Sequence, residues 1–348
     1  MRPLICKLTL ISIFLITSGC ANFPEPSKMR GYQVPYPLKT RLLSMDNTQQ
    51  PILKSGQIVL SESGDSNSFF FALFTERFSP FIHAGVLVLD KGVPYVYEGL
   101  GSLPLFVGDN SPSDSISGSI TRRPLRRYVE DENYTAIYDL PDNLNRKAVV
   151  SFVLEQFNKQ TPFDPYMDST NHEKLYCTEF VSEALKAGGL PPRKLTPYQK
   201  NSSISAVHDW LKIRDPSVIQ GISLIQLDNH VATLSKLRSQ REIQLYIAIR
   251  EELHRRYTPD QKLGNVFEWT GFHLKFRTAV EKFHTAGLKL HPDDEDLDWE
   301  TAKSSVQQLA SKMLGPFPVA QRANYSDLKI NPAFPCTKIA DNLTRCLH

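Results

Sequence analysis

The sequence lacks the features that two classes of function require. It has 40 Lys and Arg against 37 Asp and Glu, a formal net charge of +3, whereas a protein that binds nucleic acid needs a strongly basic surface. The one dense basic run, residues 122–127, is expected to form a solvated loop face. Paired ligand spacings such as Cys-x-x-Cys and His-Glu-x-x-His are absent. We therefore expect no nucleic-acid partner, no metal site and no cofactor.

Long apolar runs and internal repeats are also missing. The apolar run at residues 8–16 is too short for a stable transmembrane span, which needs about 20 residues. Arg2 and Lys7 flank it, and small residues follow it up to Cys20, a pattern typical of a secretory signal. The cysteine directly after Ser-Gly resembles that of a bacterial lipobox, although Thr17 stands where an aliphatic residue is usual.

These N-terminal residues predict an exported, lipid-anchored protein. We expect residues 1–19 to be a lipoprotein signal peptide and Cys20 to carry the lipid, with cleavage without lipidation as the alternative. Ala21 is not the Asp that enterobacterial systems use as an inner-membrane retention signal, so the resemblance implies the outer membrane, facing the periplasm. Residues 20–45, polar and rich in proline, are expected to be a tether.

Cysteine is scarce, with five in 348 residues. Cys6 and Cys20 lie in the N-terminal segment, and an exported chain folds where disulfides persist. Cys336 and Cys346 are close in sequence in a proline-rich tail, so they are a natural local disulfide pair. Cys177 is then the odd thiol, which asks for a functional explanation.

Cys177 lies where an extended apolar pair, Leu175-Tyr176, leads into a predicted helix that ends at Gly188-Gly189. The partial positive charge of a helix N-terminus favours the thiolate, which is the nucleophilic form of cysteine. This position predicts a reactive thiol, and a buried structural cysteine is the alternative.

Two strand-like segments supply partners for a reactive thiol. Residues 83–89 and 93–98 are separated by Asp90-Lys91-Gly92, which favours a hairpin turn. Antiparallel pairing would bring His83, at the start of the first strand, beside Glu98, at the end of the second. A cysteine hydrolase needs a thiolate, a histidine and a polar group that orients the histidine. The alternative for His83 is a structural histidine at the edge of a buried strand.

The remaining segments are assigned from composition and periodicity. Residues 101–121, rich in Ser, Gly and Asp, predict a loop, and residues 145–159 have helical spacing. Residues 243–257 fit one face of a helix, with an alternating strand as the alternative. Residues 262–286 and 297–314 are expected to be helical.

Four short motifs occur along the chain in an order that matches one known family. They are Gly-x-Ile-Val at residues 56–59, His-Ala-Gly-Val at 83–86, Tyr-Glu at 97–98 and Tyr-Cys-Thr-Glu-Phe-Val at 176–181. Together they resemble the circularly permuted papain-like amidases, the YaeF/YiiX-type group related to NlpC-like cell-wall peptidases and to lecithin retinol acyltransferases. In that group the histidine strand precedes the cysteine helix. The resemblance covers residues 50–230 approximately.

The resemblance implies a role for each matching residue. Cys177 would be the nucleophile, His83 its base and Glu98 the acid that orients the histidine. Tyr166 or Tyr176 would donate a hydroxyl to the oxyanion, because the family often has a hydroxylated aromatic residue where this chain has a phenylalanine before Asp164. The Cys177 N–H is the other expected donor.

The fold that the resemblance implies is α+β. It is a circularly permuted papain-like (NlpC-like) domain with an antiparallel sheet and a nucleophile helix, followed by a mostly helical C-terminal extension. We expect residues 46–230 to form the catalytic domain, 231–330 the helical extension, and 331–348 a tail with a disulfide.

The expected function is that of a thiol hydrolase of the cell envelope. It would be an amidase, peptidase or acyltransferase that cleaves an amide or ester bond through a Cys-His-Glu triad and a thioester. Cell-wall peptides, lipids or acylated small molecules are the expected substrates, and the apolar stretch 69–74 lines an acyl-binding cleft or belongs to the core. The alternatives are a non-catalytic envelope lipoprotein that binds a lipid or protein partner, and a zinc site at Cys177 and His83.

Overall fold

The computed structural model describes residues 53–102, 117–226, 229–237, 239–257, 265–270, 273–294 and 297–315. The protein is a mixed α+β chain with a large antiparallel sheet and several helices, in agreement with the predicted α+β class. The expected signal peptide, tether and C-terminal tail lie outside the described residues. Cys20, Cys336 and Cys346 therefore lie outside them too.

The strands of the described chain form one large sheet and two small ones. They are β1 (Gln57–Glu62), β2 (His83–Asp90), β3 (Val93–Ser102), β4 (Ser117–Pro124), β5 (Tyr134–Tyr138), β6 (Thr196–Pro197), β7 (Ser217–Val218), β8 (His230–Ser235), β9 (Phe267–Thr270) and β10 (His273–Phe276). The main sheet has six strands in the order β4-β3-β2-β1-β5-β8. Its neighbouring strands pair antiparallel.

The centre of the sheet is buried on both faces. On β1, Ile58 and Leu60 belong to the main apolar cluster, whereas Val59 belongs to a smaller cluster on the opposite face. Successive side chains of a strand point to opposite faces, so β1 contributes to both clusters. The smaller cluster also contains Leu125 and Tyr128, which come from the short helix that follows β4.

Eight helices are present in the described part of the chain. They are α1 (Ser66–Ala72), α2 (Leu125–Asp131), α3 (Arg146–Asn158), α4 (Cys177–Ala187), α5 (Ser202–Leu211), α6 (Gln240–Arg256), α7 (Thr278–Gly287) and α8 (Trp299–Leu314). The predictions for α3, α4 and α8 are confirmed, and Gly188 caps the C-terminus of α4 as expected. Residues 243–250 are all buried within α6. A helix that is buried all round shows no single apolar face, which explains why its sequence also fitted a strand.

The predicted hairpin between β2 and β3 is confirmed. Its two turn residues, Lys91 and Gly92, have φ angles of 49° and 85°, as a tight turn between twisted strands requires. The register places Gly85 opposite Glu98. His83 is therefore offset from Glu98 by one step along the same face of the sheet.

Three predictions about secondary structure are wrong. Residues 117–121 are not a loop but the first part of β4, because β3 supplies a pairing partner along the whole strand. The basic run 122–127 likewise forms the end of β4 and the start of α2. Within the segment predicted to be helical, residues 267–270 and 273–276 pair as two antiparallel strands, and their aromatic residues Phe267 and Phe276 pack on Phe69 of α1.

The C-terminal region packs into the same core as the sheet. Strand β8 begins at the last residue of the predicted catalytic domain and continues to Ser235 beside β5, so the sheet extends past residue 230. Buried apolar residues of α6, α7 and α8 belong to the main apolar cluster. The extension and the sheet therefore share one core.

Candidate active site

Cys177 is the first residue of α4, and Tyr176 caps that helix at its N-terminus. The thiol is half-buried and forms no disulfide in the described part of the chain. The first N–H groups of a helix have no intrahelical acceptor, and the helix dipole favours negative charge there. Both the sulfur and the backbone N–H of Cys177 are thus placed where an anion is stabilised.

Gly99 allows β3 to approach the start of α4 closely. A Cβ atom added at Gly99 would lie 3.2 Å from the carbonyl oxygen of Leu175 and 3.4 Å from the nitrogen of Cys177. A side chain here would press on the backbone that presents the thiol. The close approach joins the strand that carries Glu98 to the helix that carries Cys177.

His83 is the first residue of β2 and contacts Glu98 as expected from the hairpin. Its Nε2 atom lies 2.5 Å from Oε2 of Glu98. The imidazole also stacks on the ring of Tyr128, with 6.2 Å between the ring centroids. Two partners therefore fix the orientation of the imidazole ring.

Cys177 and His83 line the same cleft. Burial alone would lower the pKa of His83, but its interaction with Cys177 raises that pKa well above the ordinary value. The hydrogen bond and charge of Glu98 act in the same direction. The structure thus brings together the three residues predicted to form a triad.

Arg123 is a fourth member of this group that was not predicted. Its Nε atom lies 2.5 Å from Oε1 of Glu98, and its Nη2 atom lies 3.0 Å from Oε2. Burial would raise the pKa of Glu98, but His83 and Arg123 lower it. Arg123 also lies 4.0 Å from Glu132 and stacks over Tyr128. Assigning residues 120–123 to a strand would have predicted this contact, because Thr121 pairs with Glu98 and Arg123 lies on the same face of the sheet as Thr121.

A second histidine–glutamate pair lies on the other side of α4. Nδ1 of His172 is 2.9 Å from Oε1 of Glu179, while Oε2 of Glu179 is buried without a hydrogen-bond partner. Burial raises the pKa of Glu179 to about 9, and the nearby carboxylates of Asp164 and Glu183 act in the same direction. Because 177 and 179 are two positions apart in a helix, their side chains point about 200° apart.

The two tyrosines predicted as oxyanion donors lie in different places. Tyr176 lines the cleft beside Cys177, but its hydroxyl is 3.0 Å from the Ser169 hydroxyl and accepts the Ile219 N–H at 3.4 Å. Tyr166 lines a separate cavity with Asp168, Lys212 and Arg214. Of the two residues, only Tyr176 borders the cleft that contains the thiol.

The Cys177 cleft has a volume of about 420 Å³ and is mainly apolar. Cys177 and His83 line it together with Arg123 and Glu132. Most of the remaining wall is aromatic or aliphatic and includes Phe71, Phe74, Phe81, Leu100, Phe163, Met167, Leu211, Val218 and Ile219. The cleft is large enough to hold an apolar chain next to the thiol.

The apolar stretch 69–74 contributes both to the Cys177 cleft and to the core. Phe71, Ala72 and Phe74 line the Cys177 cleft. Phe69 and Phe70 instead pack on Phe267, with ring centroids 6.3 and 5.9 Å away. One side of α1 therefore faces the cleft and the other faces the core.

The described residues contain no group of three His, Cys, Asp or Glu side chains that would hold a metal ion. A search of the same residues finds no helix with the length and apolar character that a bilayer crossing needs.

No protein-family model matches the sequence, and a search of curated proteins finds no match. Among solved structures, the chain is similar to a crystal structure of metalloprotein yiiX from Escherichia coli O157:H7, with 16% sequence identity and a TM-score of 0.40. The match covers 54% of this chain and 98% of that chain. A likeness of this size leaves the function to be argued from the site.

Proposed function

We propose that the protein is a thiol hydrolase or acyltransferase that cleaves an amide or ester bond through Cys177, His83 and Glu98. The observation that carries the proposal is that Cys177 and His83 line the same cleft, with Nε2 of His83 held 2.5 Å from Oε2 of Glu98. A nucleophile, a base and a group that orients the base are the parts that covalent catalysis by cysteine requires. The chain order of histidine strand, glutamate strand and cysteine helix supports a permuted papain-like domain.

The reaction follows from these contacts. The raised pKa of His83 favours transfer of the thiol proton to the imidazole, and the resulting thiolate attacks the carbonyl carbon of the substrate. Nε2 of His83 is held by Glu98, so Nδ1 is the nitrogen that exchanges protons with the reacting groups. The Cys177 N–H, at the N-terminus of α4, stabilises the oxyanion.

The second half of the reaction regenerates the thiolate. Protonated His83 donates to the leaving nitrogen or oxygen as the bond to the carbonyl carbon breaks, and a thioester remains on Cys177. His83 then removes a proton from water or from an acceptor nucleophile, which attacks the thioester and releases the acyl group. Hydrolysis and acyl transfer differ only in this last nucleophile.

The cleft favours an acyl group over a cell-wall peptide. The wall includes polar residues such as Asp65 and Gln220, but most of its accessible surface belongs to apolar atoms, which suits an acyl chain better than a peptide backbone. Each methylene that leaves water for such a wall contributes about 0.8 kcal/mol.

We propose an envelope location, with the lipid anchor at Cys20 and the site facing the periplasm, on the basis of residues 1–21.

Acylation of the thiol tests the proposal. The full chain is incubated with 4-nitrophenyl dodecanoate, and peptide mass spectrometry is expected to find the dodecanoyl group on Cys177. Cys177→Ala should abolish release of 4-nitrophenol, and the double variant Cys336→Ala/Cys346→Ala, which removes the predicted disulfide and keeps Cys177, should leave it unchanged. Iodoacetamide at pH 6 should modify Cys177 in the native protein.

Two results would reject the catalytic proposal. The first is release of 4-nitrophenol by Cys177→Ala at the wild-type rate. The second is tight binding of a fatty acid without any acylation of Cys177, which would favour a non-catalytic lipoprotein that binds lipid.

A further inference from the structure

Residues 62–75 form one wall of the Cys177 cleft, and the C-terminal extension holds this wall in place. The wall comprises the end of β1, the turn that follows it and α1, which contribute Glu62, Asp65, Phe71 and Phe74 to the cleft lining. Helix α1 has only seven residues. A helix of this length is not stable alone, so its position depends on what it packs against.

A buried polar network connects the start of the wall to α6. The Tyr246 hydroxyl donates to Oε2 of Glu62 at 2.6 Å. Nη2 of Arg250 donates to the Gly64 carbonyl at 2.6 Å and to the Tyr246 hydroxyl at 2.7 Å. The side chains of Arg250 and Glu62 are 4% and 6% exposed. Groups buried to this degree need their partners, because an unpaired buried charge costs several kcal/mol.

Further contacts hold both ends of α1. Near its start, the Ser66 hydroxyl donates to the Leu274 carbonyl at 2.6 Å. Beyond its end, His254 Nε2 lies 2.8 Å from the Thr75 carbonyl. In between, the Arg250 guanidinium stacks over Phe69 at 4.7 Å. These partners of α1 belong to α6 and β10, whereas Gln199 and Gln220 bond to Phe74 and Thr75 only beyond the end of the helix.

We propose that helix α6 and the strand pair β9–β10 set the position of the α1 wall and thereby determine the length of acyl chain that the Cys177 cleft accepts. Arg250 is the central positioning residue, since it binds the turn before α1, the hydroxyl that holds Glu62, and the core side of α1. The inference rests on the proposed function. It gives the extension a role in substrate selection, in contrast to a role as a separate partner-binding unit or as added core.

The test compares two buried arginines of the same helix. Arg256 is as buried as Arg250, with 3% of its side chain exposed. It binds Glu252 at 2.6 Å and the Gly315 carbonyl at 2.7 Å, and therefore braces α6 against the end of α8. Arg250→Met and Arg256→Met remove the same charge from the same helix, but only the first loosens the α1 wall.

The measured quantity is the ratio of kcat/KM for the dodecanoyl and acetyl esters of 4-nitrophenol. We expect Arg250→Met to lower this ratio about tenfold, the scale on which pocket contacts discriminate chain length, and Arg256→Met to leave it unchanged. If Arg250→Met does not fold, Tyr246→Phe removes the hydroxyl that holds Glu62 and keeps the ring, and the same fall is expected. An unchanged ratio, or an equal fall in Arg256→Met, would overturn the inference.

A binding measurement separates this inference from the catalytic proposal. A fluorescent fatty acid is titrated into Cys177→Ala with and without Arg250→Met. A Kd raised by Arg250→Met upholds the role of the extension even if the wild-type thiol is never acylated. An unchanged Kd, or no binding to Cys177→Ala, rejects that role even if acylation of the wild type is observed.

Discussion

Two histidine–glutamate pairs flank Cys177. They differ in the elements that carry them, in their further partners and in the direction in which the pKa of the glutamate is shifted. His83 and Glu98 come from adjacent strands of the sheet, 2.5 Å apart, and Glu98 is also bound by Arg123. His172 and Glu179 come from the loop before α4 and its first turn, 2.9 Å apart. The first pair contacts the thiol side of the helix, and the second lies on the opposite side.

The contrast shows that partners, rather than burial, decide the charge of a buried carboxyl group. Glu98 and Glu179 are both almost fully buried, at 0% and 1% exposure. Burial favours the protonated form of each. Arg123 and His83 nevertheless lower the pKa of Glu98, whereas Glu179, surrounded by other carboxylates, has its pKa raised to about 9. Only Glu98 is therefore suited to hold an imidazolium at neutral pH.

The largest expected effect on kcat/KM comes from replacing His83 by alanine, compared with the same replacement at His172. His83→Ala should lower kcat/KM for the dodecanoyl ester by about 1,000-fold, because it removes the base that takes the thiol proton. His172→Ala is the matched control and should change the rate less than about twofold, since a surface substitution away from the site has little effect. Equal losses in the two variants would show that the pair at His83 is not the catalytic one.

An intermediate effect is expected from making the environment of Glu98 resemble that of Glu179. Arg123→Gln removes a positive charge that lowers the pKa of Glu98, so Glu98 takes up a proton at higher pH in the variant. His83 then loses its anionic partner, and the acid limb of the pH profile of kcat/KM should move to higher pH. The rate at pH 7 should fall about tenfold.

Arg126→Gln is the control for this measurement. Arg126 belongs to the same basic run, is exposed, and pairs with Glu130 at 3.2 Å. Its pH profile should match that of the wild type. A profile of Arg123→Gln that also matches the wild type would mean that Arg123 does not act through Glu98.

The smallest expected effect concerns stability on the Glu179 side. Glu179 retains its proton in the folded state up to about pH 9, whereas in the unfolded chain it loses the proton near its ordinary pKa of about 4.3. The folded state binds the extra proton between these values, so this group makes stability fall as pH rises through the window. Glu179→Gln should remove that dependence and raise Tm at pH 8 by about 3 °C.

Glu155→Gln controls for the general effect of removing a carboxylate, since Glu155 is an exposed residue of α3 that pairs with Lys159. Its Tm difference from the wild type should be similar at pH 5 and pH 8. A Glu179→Gln variant with the same Tm shift at both pH values would show that Glu179 is ionised in the folded protein.

The geometry of the candidate site was predictable where local rules fix it. Lys91 and Gly92 form a two-residue turn, and this turn sets the register that brings His83 to Glu98. Gly188 ends α4, and the extended residue Tyr176 precedes its first residue, Cys177. Both ends of the helix are therefore marked in the sequence. Turn and cap signals act over a few residues and are visible without knowledge of the fold.

The remaining features depend on contacts that no local rule contains. The basic run that contains Arg123 is predicted to be a solvated loop because the residues before it are rich in Ser and Gly, which are typical of loops. These residues form a strand because β3 provides a pairing partner. The bond between Arg250 and Gly64 joins residues 186 positions apart. Strands β9 and β10 pair where the rings of Phe267 and Phe276 pack on Phe69 of α1. This contact exists only in the folded chain.

Strand β4 has a further consequence that concerns association between copies of the chain. It is an edge strand of the six-stranded sheet, and its first half is covered by residues 161–163, which bond to Gly118 and Ile120. Its second half carries Arg122 and Arg123 and ends at Pro124. Charged side chains and proline at an edge oppose strand addition by a neighbouring molecule. The arginine that holds Glu98 thus also protects the sheet from aggregation, so neutral substitutions at position 123 call for a measurement of solubility beside the rate.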